Sequence, residues 1–354
     1  MDKKLSPSMF IGVKGNDIIS FGSGQPDLEP PREVYDRLEN TEIKYNNFEY
    51  GLIQGNENLR EALSKQYPDS DKDSFVVTNG ASEALDLIFR VIGEGGGKKV
   101  LVHKPYYYSY PYLVKSAGME PIYVETINGK IDIKDFREKV KECDAVLINS
   151  PSNPTGRIQD IETLKEIEEI TKKMDIPLIS DEVYKDLIYE RDNYFLKGPH
   201  VITVNSFSKT FSMCGFRIGY LYSNDKSIVE KIIALKTHTS MNTNTYAQEM
   251  ALAALNAPKE YISKGLKIWK ERRDLICDGL SKMGIDFFKP EGTFYVLLKV
   301  ENPEKVVWDL YNDYNVITYL GEWFGAPGYI RMSYALDKEK IKEGLRRIKE
   351  YLGK

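Results

Sequence analysis

The sequence predicts an α/β protein: a large unit built on a mostly parallel seven-stranded sheet, with a smaller α+β unit that the N-terminal segment joins. Three observations predict it. From about Asp73 to Tyr222, short apolar runs alternate with amphipathic stretches, as strands separated by helices do. Runs such as VLINS and PLIS are apolar without a break, which fits parallel strands covered on both faces. Beyond PKEYISKGLKIWKERRDLICDGLSKMG the pattern changes to strands and helices of a second, smaller unit.

Taken in order, DSFVVT reads as a strand and SEALDLIFRVI as a helix; KKVLVH, PIYVE and DAVLINS read as strands. IETLKEIEEITKK carries apolar residues at helical spacing, and IPLIS, VITVNS and RIGYLY are the remaining strands of the large unit. The stretch PKEYIS through SKMG is long and helical and links the two units. TFYVLLKV and GYIRMSYA then read as strands, with helices at VVWDLYNDY and KEKIKEGLRRIKEYL. The expected boundaries are 1–33 for the N-terminal segment joining the small unit, 34–255 for the large unit and 256–354 for the small one.

The 354 residues suit about two domains and bury a substantial core. Charge is balanced, with 49 basic and 53 acidic residues giving −4, and no basic block marks a nucleic-acid partner. The N-terminal MDKKLSPSMF lacks a signal-type apolar core, and no apolar run reaches membrane-spanning length. Cys143, Cys214 and Cys277 are scattered and odd in number, which points to a reducing compartment. The three histidines lie far apart without carboxylates at ligand spacing, so no metal site is expected. These features describe a cytoplasmic enzyme or binding protein.

In open α/β sheets, ligands gather at the carboxyl ends of the strands. After FVVT, Gly80 and Ala81 lead into a helix whose first turn holds Ser82, a candidate anion site; alone, a helix cap with Glu83 nearby is the plainer reading of Ser82. After VLINS, Asn153 sits in a turn bounded by Pro and Gly, where an ordinary turn asparagine is the plainer reading. After PLIS come Asp181, Glu182 and Tyr184. One of the two adjacent acids is expected to face inward, unless Asp181 only caps a following helix. After VITVNS come Ser206, Ser208 and Lys209, with Arg217 following. Each signal is weak singly. Together they place hydroxyls, an amide, a carboxylate, a phenol, a lysine and an arginine on one sheet edge. That set suits a ligand with a phosphate, a ring and an electrophilic carbon, to which a partly desolvated lysine can form a Schiff base.

NPTG (153–156), DEVY (181–184) and SFSKTFSMCGFRIGY (206–220) resemble the signature blocks of class I/II aminotransferases, the fold-type I pyridoxal-phosphate enzymes. GQPD (24–27), YGLIQGNENLREAL (50–63), PYYYSYP (105–111), PEGTFYVL (290–297) and GYIRMSYA (328–335) match further blocks in family order over almost the whole chain. The resemblance implies pyridoxal 5'-phosphate as cofactor, with Lys209 forming the imine and carrying the proton. Asp181 would pair with the pyridine nitrogen, and Asn153 and Tyr184 would bond the ring's phenolic oxygen. Ser206, Ser208, Arg217, Ala81 and Ser82 would hold the phosphate. Tyr107 would stack on the ring; its plainer reading is a core tyrosine between Tyr106 and Tyr108. Tyr50 matches the residue that reaches the neighbouring subunit's phosphate, implying a homodimer with shared sites. Arg331 would grip the substrate α-carboxylate, with Gly24 and Asn153 beside it.

The sequence departs from the family at TYLGEWFG (318–325), where a Pro-Gly pair is usual, and within the lysine block at Phe207 and Cys214. No clear second arginine is placed to bind an acidic side chain, which weighs against an aspartate enzyme. The implied activity is aminotransfer between an L-amino acid and a 2-oxo acid, with no nucleic acid or membrane partner. The nearest rival is a same-fold carbon–sulfur β-lyase or phospho-amino-acid decarboxylase. A non-catalytic cofactor-binding protein would have no use for both Lys209 and Asp181. A nucleotide-binding protein lacks its phosphate loop here, since GEGGGKK (93–99) precedes a strand, as a turn does.

Overall fold

In the computed structural model, the described residues are 6–10, 12, 13, 15, 17–40, 49–191 and 193–353. The seven runs read as strands form one sheet: β1 (Phe75–Thr78), β2 (Lys99–His103), β3 (Glu120–Val124), β4 (Ala145–Asn149), β5 (Leu178–Asp181), β6 (Val201–Ser206) and β7 (Gly219–Tyr222). Their order is β1-β7-β6-β5-β4-β2-β3. Pairing is parallel except at β7, which runs antiparallel to both β6 and β1. Every residue of β1, β4, β5, β6 and β7 is buried, which is why these runs carry no polar alternation.

Helices cover both faces. In α1 (Gly80–Glu94), Ala84, Leu85, Leu87, Ile88 and Val91 are buried on the side that meets the sheet. In α3 (Ile161–Met174), Leu164, Ile167 and Thr171 recur at helical spacing while the lysines and glutamates between them face out. The short α2 (Tyr110–Ser116) follows the loop after β2. Because β3 and β4 lie on opposite sides of β2, the chain changes direction across the sheet there. That opens a crevice at the strands' carboxyl ends.

The helix α4 (Lys259–Lys282) leads away from this sheet to a second one, antiparallel throughout. It comprises β8 (Phe287–Phe288), β9 (Tyr295–Lys299), β10 (Tyr319–Leu320) and β11 (Tyr329–Ser333), in the order β8-β9-β11-β10. Helices α5 (Pro303–Tyr314) and α6 (Lys338–Tyr351) pack with it. The chain's beginning joins this unit: Ile19 and Ser20 pair in parallel with Val316 and Ile317. Phe10, Ile19 and Phe21 share a core with Trp269, Leu310 and Ile341. Both ends of the chain thus build the smaller unit.

Two local expectations are corrected. The run RIGYLY becomes strand only from Gly219, because Arg217 has φ +52° and ends a one-turn 3-10 helix at Cys214–Phe216. No helix follows Asp181 for it to cap; the chain turns at 183–186, and Asp181 Oδ1 accepts the Val183 N–H at 3.2 Å within that turn.

Candidate active site

The carboxyl ends of five parallel strands and the edge of the second sheet enclose a cavity of about 650 Å³. Its lining includes Gly24, Ala81, Ser82, Tyr107, Asn153, Asp181, Tyr184, Ser206, Ser208, Lys209, Arg217 and Arg331, each named from the sequence. Tyr50 is outside it. That side chain is 82% exposed on this chain's own surface.

At one end, β6 runs into a single helical turn (Phe207–Thr210) that presents hydroxyls and a lysine. Ser206 Oγ accepts the Ser208 N–H at 3.1 Å and lies 2.9 Å from Ser208 Oγ. Arg217 donates to the backbone carbonyls of Cys214 at 3.0 Å and Asn79 at 3.3 Å, so its charge meets no carboxylate there. It lies against the start of α1, where Gly80 has φ +75° and a Cβ would stand 2.7 Å from Arg217 Nη2. Ser82 is not a cap: the helix begins at Gly80, and the Glu83 carboxylate takes the Asn79 N–H instead. Helix-start amides, two hydroxyls and a guanidinium facing one space are the donor set a phosphate requires.

In the middle lie Asp181 and Lys209. Asp181 is 5% exposed, and burial pushes its carboxyl up to about 6, against the Tyr110 hydroxyl, the Val183 N–H and the Lys209 charge. Tyr110 donates to Asp181 Oδ2 at 2.5 Å. Asn149 donates through Nδ2 to the Asp181 carbonyl and accepts the Asn153 N–H on Oδ1, tying the two strand ends together. Lys209 Nζ donates to the Gly24 carbonyl at 2.6 Å. A Cβ on residue 24 would lie 2.0 Å from the Tyr295 hydroxyl, so only glycine lets this backbone approach.

Of the two adjacent acids, Asp181 lines the cavity, and Glu182, which does not, is buried as well. Glu182 accepts from Ser180 Oγ at 2.9 Å, while its Oε2 is buried without a partner. Burial pushes Glu182 up to about 7. Alternation sends the two side chains to opposite faces of the sheet, and both faces are covered.

At the far end, Arg331 on β11 is 2% exposed. Its Nη1 donates to Asn153 Oδ1 at 3.0 Å and its Nη2 to the Gly22 carbonyl at 2.6 Å, while Nε is buried without a partner. The guanidinium carbon lies 4.4 Å from the ring centre of Tyr295, 4.6 Å from Phe324 and 4.9 Å from Tyr319. Rings shield this cation without neutralising it, which leaves it for an anion from solution. Tyr184 and Tyr295 bridge the middle to this end, their hydroxyls 3.0 Å apart.

Sequence reasoning missed Tyr110, Asn149, Tyr295 and Tyr319. Tyr110 and Tyr295 lie inside blocks already singled out, PYYYSYP and PEGTFYVL. Nothing in a linear pattern tells which tyrosine of a cluster reaches a carboxylate. Among the described residues, no cluster of His, Cys, Asp or Glu could hold a metal ion, and no helix is long and apolar enough to cross a membrane.

A buried acid, a lysine and two arginines at opposite ends of one crevice define a site for a doubly anionic ligand pair, the setting of an amino-group transferase. The family model for aminotransferase class I and II matches residues 16–348, and the chain belongs to that family. A probable aspartate/prephenate aminotransferase of Aquifex aeolicus is 34% identical, over 97% of this chain and 93% of its own. The crystal structure of aspartate aminotransferase from Thermotoga maritima superposes with a TM-score of 0.90 at 32% identity, over 99% of this chain and 98% of its own. That of an aromatic aminotransferase from Pyrococcus horikoshii gives 0.87 at 28% identity, over 96% of each chain. The protein is therefore a pyridoxal-phosphate-dependent aminotransferase that moves amino groups between amino acids and 2-oxo acids.

Proposed function

We propose that Lys209 holds pyridoxal 5'-phosphate and that the residues around it carry out the transfer between an L-amino acid and a 2-oxo acid. The observation that carries this reading is the convergence of Lys209, buried Asp181 and buried Arg331 on one cavity. The donor set fits the cofactor. Ser206, Ser208, Arg217 and the α1 start with Ala81 and Ser82 would bind its phosphate. Asp181, an acid that burial makes reluctant to ionise alone, would gain a cationic partner in the ring nitrogen. Asn153 and Tyr184 would bond the phenolic oxygen, and Tyr107 would cover the ring. When bound, the cofactor supplies an electron sink for the bond broken at the substrate's Cα.

Arg331 binds the substrate α-carboxylate, its unpartnered Nε adding a donor, with Asn153 and Gly24 alongside. That hold fixes the Cα–H bond relative to Lys209. Once the substrate's amine has displaced it from the cofactor, the freed Lys209 Nζ would be the base that takes the Cα proton and holds it for return. Tyr110 and Asn149 keep Asp181 in place.

The same reading includes a homodimer in which Tyr50 serves the partner's phosphate, supported by its 82% exposure away from this chain's cavity. It also includes unit boundaries after residues 33 and 255; the second is supported by α4 beginning at Lys259, whereas the first falls within the helix Arg32–Glu39. Mixing inactive Tyr50→Phe chains with inactive Lys209→Ala chains should restore activity, since one hybrid site is then intact; an active monomer at high dilution would refute the shared site. The transfer itself is tested by adding an amino acid to the cofactor-loaded protein and measuring 2-oxo acid released per site. Release of ammonia with pyruvate, or of carbon dioxide, would instead favour a lyase or decarboxylase.

A further inference from the structure

We infer that the amino-acid side chain this enzyme takes is aromatic rather than acidic, a conclusion that rests on the functional reading above. Among the described residues lining the cavity, the cations are Lys209, Arg217 and Arg331. That reading commits all three, to the cofactor, its phosphate and the α-carboxylate. A substrate with a second carboxylate would have no cation left on this wall.

What remains at the Arg331 end is aromatic. Tyr295 and Tyr319 stack against the guanidinium, and both line the cavity together with Tyr108 and Phe10. Phe10 comes from the N-terminal segment, its ring centre 6.2 Å from that of Tyr319. Tyr108 packs edge-on against Phe324 at 5.7 Å. The polar side chains near Arg331 that stand outside this committed set are Ser23 and Gln25, which are neutral and exposed. A distal carboxylate moved here would lose its water and meet no uncommitted cation among the described residues of this chain, which is costly. A phenyl or phenol ring would gain edge and face contacts with rings already fixed by packing. The relatives described above include both aspartate and aromatic enzymes, so their names do not decide the matter.

The test is a single-turnover donor panel on the cofactor-loaded full chain, with phenylalanine, tyrosine, aspartate and alanine, read by the cofactor's visible absorbance. Phenylalanine and tyrosine should react with a rate constant over dissociation constant at least about ten-fold above that of aspartate. An equal or better reaction with aspartate would overturn the inference while leaving aminotransfer intact, because it would require a cation from outside this wall. No reaction with any donor would overturn the functional reading, and the inference with it. Phe10→Ala should also lower the ratio of phenylalanine to alanine reactivity about ten-fold; an unchanged ratio would count against an aromatic subsite at Phe10.

Discussion

The two ends of the cavity solve one problem, holding an anion, by different means. At the sheet edge, Arg217 is exposed and rests on two backbone carbonyls, and its co-donors are hydroxyls and helix-start amides within a few residues of strand ends. At the opposite end, Arg331 is 2% exposed, and its surroundings come from Gly22, Asn153, Tyr295, Tyr319 and Phe324, scattered over 300 positions of sequence. The first end is assembled from strand ends of one sheet and resembles a docking cradle. The second is assembled where the small unit meets the large one, and it fixes direction as well as charge. Cofactor binding should therefore tolerate damage that substrate binding does not, and the reverse.

The largest effect belongs between the two ends. Lys209→Ala should lower turnover by about four orders of magnitude, since the proton carrier is gone. Cofactor should still bind through the phosphate donors, which equilibrium dialysis would register. Loss of both together would dissolve the distinction between the ends.

Asp181→Asn should cost about a hundred-fold in kcat, because a neutral amide no longer favours the cationic ring nitrogen. The same change should stabilise the cofactor-free protein. With Asp181 raised to about 6 by burial, the folded chain binds more protons than the unfolded one between pH 4 and 6, so stability falls as pH rises through that window. The penalty above pH 6 is about 3 kcal/mol at most. The variant's unfolding midpoint should exceed that of the wild type at pH 8 and match it below pH 4. A lower midpoint at pH 8 would mean that the carboxylate is stabilised by its hydrogen bonds after all.

Arg331→Lys tests the far end alone. An ammonium cannot reproduce the planar fork, so kcat/KM should fall about ten- to a hundred-fold for every donor alike, with cofactor occupancy unchanged. Loss confined to one side-chain type would move Arg331 from the carboxylate to a specificity role. The smallest expected effect is that of Tyr110→Phe, which removes one hydrogen bond from Asp181, worth about 1–3 kcal/mol. It should shift the pH dependence of the loaded protein's spectrum while leaving KM nearly constant. A change in KM alone would assign Tyr110 to the substrate.

The difference between the ends also explains what the sequence made legible. The seven strands were readable because both faces of the sheet are covered and the runs are apolar throughout. Residues at or just beyond strand ends, such as Asn153, Asp181 and Ser206, were readable for the same reason: their position follows from the strand's end. Helix Thr245–Leu255 was not: Ala247, Met250, Ala251 and Ala254 are buried on one face, but Leu252, Ala253 and Leu255 on the rest of it leave no polar stripe to mark a period. Phe10 and Tyr319 were equally hidden, because Phe10 meets Tyr319, a ring against Arg331, only by bringing together segments more than 300 residues apart. Burial of Glu182 beside Asp181 was missed because alternation tells which face a residue takes, and not whether that face is covered.

The central claim is that Lys209 is the cofactor's attachment point, midway between the two anion sites. Borohydride reduction of the cofactor-loaded protein, followed by proteolysis and peptide mapping, tests it directly. A single reduced adduct is expected on the peptide containing SFSKTFSMCGFR, at Lys209; an adduct on any other lysine would contradict that role.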